Sequence, residues 1–128
     1  MIKRGSEKVR VVAEFTIGQF DWELYLVGDK DTKLMVDDQQ CFGYCNFANL
    51  QVCISNIEMA AQVRKATLVH ELTHAFLYSY GYQKDSYDEE QFCDFMESHG
   101  KTIIELSEQL YKFLMKVKKE FDKELYEK

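Results

Sequence analysis

The sequence predicts an α+β fold: a small twisted, mainly antiparallel sheet of three or four strands packed on a central helix, a short acidic helix and a long C-terminal helix. Three observations carry this. Apolar residues alternate at period two through most of the first 54 positions, as in half-buried strands. Beyond them the apolar spacing changes to three and four, the helical pattern. Ser55–Glu58, Asp88–Gln91 and Thr102–Glu105 each have capping-box spacing, where a side chain at either end satisfies a backbone N–H at the other. The 128 residues, 46% hydrophobic and 14% aromatic, suffice for one core, so residues 1–128 form one domain.

Residues 1–8 are polar and read as a loose end. Val9–Ile17 alternates with Val11, Ala13, Phe15 and Ile17 on one face, a strand that Gly18-Gln19 breaks. Trp22–Val27 alternates again. With the turn at Gly28–Asp31 and a short strand at Lys33–Val36, it predicts a hairpin over 22–36. Cys41–Ile54 holds Gly43, a loop-like Asn46–Asn49, and then Leu50, Val52 and Ile54 in alternation. The last part is expected to be the final strand, at the sheet edge. Ser55 is the expected N-cap of a helix running to about Tyr80 and stopped by Gly81. A surface loop, 81–87, leads to a short helix from Asp88 to His99-Gly100. A long helix from Thr102 to about Tyr126 follows, with the stripe Ile103, Leu106, Leu110, Phe113, Leu114, Val117, Phe121 and Leu125. The stripe is expected to be core as far as Phe113 or Leu114, and the turns from Lys116 to project as a dimer contact.

Acids outnumber bases, 22 to 16, for a net charge of −6, which disfavours nucleic acid and anionic membranes as partners. No apolar run reaches membrane-spanning length, and MIKRGSEKVR lacks the apolar core of a signal peptide; a cytoplasmic protein is expected. Cys41, Cys45, Cys53 and Cys93 then read as reduced thiols. The Cys41-x₃-Cys45 spacing with Cys53 fits no common zinc pattern.

The most informative stretch is Thr67–Tyr80, TLVHELTHAFLYSY, which contains His70-Glu71-Leu72-Thr73-His74. On a helix the two histidines lie one turn apart on one face and can chelate one Zn²⁺. Glu71, one step round, can take a proton from a water at the metal. A catalytic zinc needs a third protein ligand and an open position. Only seven residues separate the helices, so that ligand is sought among Asp88, Glu89, Glu90, Asp94, Glu97 and His99. Glu90 and Asp94 share a helix face: Glu90 can bind the metal while Asp94 orients a ligating imidazole.

TLVHELTHAFLYSYGY followed by YDEEQFCDF resembles the ImmA/IrrE family of small metallopeptidases of phages and mobile elements, within the Glu-zincins. Glu90-Gln91-Phe92-Cys93-Asp94 matches the E-x-x-x-D arrangement of thermolysin-like Glu-zincins, in which the Glu is the third ligand. The resemblance spans roughly residues 41–105 and implies a minimal zincin-like fold. It implies His70, His74 and Glu90 as ligands, Glu71 as general base and Asp94 as support, with Glu89 the rival to Glu90. The implied function is zinc-dependent hydrolysis of a peptide bond in an intracellular protein, such as a phage or mobile-element regulator, with the substrate paired to the edge strand 50–54. The alternative is a catalytically silent zinc domain acting as an interaction module. Tyr78, Tyr80, Tyr82, Tyr87 and His99 are candidate oxyanion donors among which the sequence does not choose.

Overall fold

The computed structural model describes residues 9–28, 35–36, 39–40 and 42–126. The polar end 1–8, most of the turn at 28–31, Lys33 and Cys41 lie outside the described residues. β1 (Val9–Ile17) and β2 (Phe20–Val27) form an antiparallel hairpin closed at Gly18, whose φ of 61° suits a residue without Cβ. Phe15 and Ile17 are buried as expected, but the register shifts between Val11 and Ala13, and Val11 is 53% exposed rather than on their face. β3 (Met35–Val36) and β4 (Gln39–Gln40) pair with each other as a separate two-stranded ribbon among the described residues. β5 (Gly43–Asn46) and β6 (Gln51–Ser55) form a second antiparallel hairpin. β6 lies parallel to β2, so the main sheet is mixed, in the order β1-β2-β6-β5. Two helices follow, α1 (Ala61–Ser79) and α2 (Glu89–Tyr126). The architecture is therefore α+β, as expected. Its core joins Trp22, Leu24 and Leu26 of β2 and Val52 and Ile54 of β6 to Leu68, Leu72 and Phe76 of α1 and Phe95, Ile103 and Leu114 of α2.

Several expectations are corrected. The 22–36 hairpin does not form, because β2 is already paired with β1 on one side and β6 on the other. The 50–54 strand exists but is not an edge: β6 is interior, and among the described strands β5 and β1 are the edges. Val52, Cys53, Ile54 and Ser55 are all buried in succession, the signature of a strand covered on both faces. Ser55 does not cap α1. It ends β6, its hydroxyl accepts the Ile57 N–H at 3.0 Å, and α1 starts six residues on, after an extended Ala60. Buried Arg64 holds this entry by donating to the carbonyls of Ser55 (2.9 Å) and Ile57 (3.1 Å).

The short acidic helix and the long C-terminal helix are one continuous α2 of 38 residues. Gly100 lies inside it without the positive φ of a helix stop. A glycine costs a helix interior about 1 kcal/mol, less than the stabilisation from keeping Phe95 and Ile103 buried on one uninterrupted face. The opening box is as predicted: Asp88 Oδ1 accepts the Gln91 N–H (2.8 Å) and Gln91 Oε1 accepts the Asp88 N–H (2.9 Å). The final turns do not project. Phe121 is fully buried under the Arg10 guanidinium, 5.3 Å from the ring, and Asp122 joins Asn56 and Lys118. Among the stripe residues whose side chains are described, Phe113 is exposed, at 50%.

Candidate metal and catalytic site

α1 carries the predicted motif and ends as the sequence indicates. Gly81, at φ 85°, donates to the Tyr78 carbonyl (3.1 Å) and Tyr82 donates to that of Leu77 (2.8 Å), closing the last turn. Trp22 Nε1–H donates to Ser79 Oγ at 2.9 Å, tying this end to β2. The helix lies against the sheet with Leu68, Leu72 and Ala75 buried.

His70 and His74 emerge on the opposite, exposed side, ring centroids 4.9 Å apart in an edge-on arrangement. Between them Glu71 turns inward and is only 7% exposed. Burial pushes its carboxyl up to about 7, so proton uptake and release fall near neutral pH. Burial and the neighbouring His70 hold His74 below the ordinary histidine range, favouring the neutral imidazole that ligates metals. Gly43 and Glu71 line both halves of a long groove over α1. One half continues past Phe42, Val63, Thr67 and His70; the other, of about 720 Å³, passes His74, Phe47, Tyr78 and Tyr82.

β5 forms the far wall. Gly43 permits this approach, because a Cβ there would meet the Cys53 carbonyl oxygen at 2.8 Å and the Thr67 methyl at 3.1 Å. Cys45 also lines the groove. Burial, Glu71 and Cys53 push its thiol far up, so it stays protonated at neutral pH. That agrees with the reading of Cys45 and Cys53 as packed thiols rather than metal ligands.

Two of the three expected ligands are therefore together. Glu90 and Asp94 lie exposed on the opening turns of α2, as does Glu89. Among the described residues no three His, Cys, Asp or Glu side chains converge as a metal-holding group. The donor chemistry of the paired imidazoles fits zinc, and the third position is not assembled. His99 is elsewhere, stacked on Tyr80 at 4.2 Å and against Phe95 at 5.1 Å. Of the candidate oxyanion donors, Tyr78, Tyr82 and Tyr87 line the groove.

The edge role of β5 was missed in sequence, although Gly43 within the apolar run Cys41–Cys45 marked a close backbone approach. The described helices include none long and apolar enough to cross a membrane. Comparisons with protein-family models, curated proteins and solved structures return no match, so the reading of this site rests on its own geometry.

Proposed function

We propose that this chain is a zinc-dependent peptidase that hydrolyses a peptide bond in an intracellular protein, with Glu71 as general base. One observation carries the reading: a buried carboxyl stands between two exposed imidazoles on one helix, in a groove whose far wall is the edge strand β5. A site built only for stability has no use for a buried, isolated acid there, because burying an unpaired carboxylate costs folding free energy.

In this reading His70 and His74 hold the metal, Glu90 completes the set and Asp94 orients an imidazole. Zinc, when bound, supplies the positive charge that polarises the scissile carbonyl and acidifies a water. Glu71 takes the proton from that attacking water and returns it to the leaving amine as the C–N bond breaks. β5, rather than 50–54, offers the substrate a strand to pair with.

The test is direct. Purified protein is expected to carry one zinc per chain, which His70→Ala and His74→Ala lose. Glu71→Gln is expected to keep the zinc and lose cleavage of fluorogenic peptide pools. Glu90→Ala is expected to weaken metal binding more than Glu89→Ala does. Full cleavage by the Glu71→Gln protein would end the reading. The separation of Glu90 from the histidine pair favours one second reading, a zinc-binding interaction module without chemistry. Zinc bound with no cleavage of any peptide would select it.

A further inference from the structure

The groove's two halves differ. At one end Phe47 and Tyr78 stack face to face, 4.9 Å between centroids and 18° between planes, yet remain 40% and 43% exposed. Tyr78 is braced from behind by Trp22, edge-on at 6.2 Å, and by Phe20 at 6.1 Å. Tyr78 is thus held by the core and Phe47 is stacked on it, while both rings line the groove rather than the interior. Tyr78 follows His74 by one helical turn.

The backbone of β5 indicates how a chain would lie beside this shelf. Phe42 accepts from the Ser55 N–H at 2.8 Å, and the register pairs Gly43 with Ile54 and Cys45 with Val52. Antiparallel pairs alternate between bonded and non-bonded. Tyr44 and Asn46 therefore bond to β6, whereas Gly43 and Cys45 turn their N–H and C=O groups outward, where the described residues place no further strand. β5 advances from Thr67 at Gly43 toward Tyr78 at Phe47, so it runs along α1 in the same direction. From Glu71 to Tyr78, seven residues of α1 advance about 10.5 Å, which about three extended residues span at 3.3 Å each.

We infer that the site selects peptides carrying a large aromatic side chain about three residues from the bond above Glu71, with Phe47 and Tyr78 as the specificity-determining shelf and Gly43 and Cys45 as the backbone anchor. This rests on the peptidase reading for the position of the scissile bond, but not for the binding preference itself.

The experiment measures both. Fluorescein-labelled decapeptides with one central Phe, Leu, Ala or Asp in a Gly-Ser-Thr background are titrated against wild-type, Phe47→Ala and Tyr78→Ala protein by anisotropy, with zinc content and cleavage products followed in parallel. The Phe peptide is expected to bind about tenfold tighter than the Ala peptide to wild type, and about equally with it to Tyr78→Ala. Circular dichroism checks that both variants remain folded; Leu substitutions, Phe47→Leu and Tyr78→Leu, give intermediate preference if the shelf acts through its rings. Equal binding of Phe and Ala peptides to wild type, or no binding of any peptide, overturns the inference, whatever the cleavage result. A Phe preference that depends on Tyr78 without zinc or cleavage upholds the shelf while the peptidase reading falls.

Discussion

Gly43→Ala tests how closely β5 must approach α1. The added methyl would lie 2.8 Å from the Cys53 carbonyl oxygen, 3.1 Å from the Thr67 methyl and 3.2 Å from Ile54 Cδ1. Cys53 belongs to β6, held between two strands, and Thr67 belongs to a 19-residue helix, so the edge strand is the part that moves. Overpacking of this kind costs roughly 1–3 kcal/mol. The smaller conformational freedom of alanine in the unfolded chain offsets about 0.5 kcal/mol of it. A net loss of about 1–2 kcal/mol corresponds, at about 4 °C per kcal/mol for a chain of this size, to a melting temperature lower by about 4–8 °C. Displacing the strand from Glu71 by about half an ångström should also reduce kcat/KM for any cleaved peptide by about tenfold or more. Gly81→Ala is the control: it carries only the cost of its 85° φ, with open space around the new methyl, and should leave cleavage unchanged. Calorimetry and a peptide-cleavage assay read both effects. An unchanged melting temperature together with unchanged cleavage for Gly43→Ala would refute the packing argument.

Gly100→Ala should raise stability by up to about 1 kcal/mol in urea melts, since Gly100 is mid-helix and its nearest neighbour is the flexible Met96 Cε; a loss would mean a helix stop there. Phe121→Ala should cost about 3–5 kcal/mol, because the ring is fully buried, whereas a projecting terminal turn would lose almost nothing by the same measurement. For Asp122, burial alone would raise the carboxyl, but hydrogen bonds from Asn56 and Lys118 and the charges of Lys118 and Arg64 outweigh it and hold it below the usual range. Its contribution to stability is therefore present at neutral pH and lost as pH falls through its depressed folded value; Asp122→Asn should flatten the acid limb of the stability–pH curve.

Much of the fold is legible in the sequence because its signals are local. Alternation marks β1 and β2, Asp88 and Gln91 cap α2, and Gly81 ends α1. Signals that depend on distant partners are not. The burial of Val52–Ser55 on both faces depends on β2 pairing with β6 across more than twenty residues, which no window around β6 contains. The Ser55 and Thr102 boxes have the right spacing, but tertiary contacts decide otherwise: the sheet claims Ser55, and the core face claims the helix across Gly100. At the site, the one-turn spacing fixes the His70–His74 pair by helix geometry alone, whereas the proposed ligand Glu90 sits on a second element, and its place relative to the pair is decided by tertiary packing. The groove wall from β5 and the Phe47–Tyr78 shelf likewise arise only on folding.

The unbroken length of α2 has a mechanical consequence. Thirty-eight residues at 1.5 Å make a strut of about 57 Å, and a strut without a joint carries both its ends together. Where Phe121 and Asp122 seat against Arg10 and Asn56 therefore also sets where the carboxylates at 89–94 stand relative to the two histidines. If the proposed zinc site forms, loosening the distant clamp should be felt as a change in its metal affinity, with no residue near the imidazoles altered.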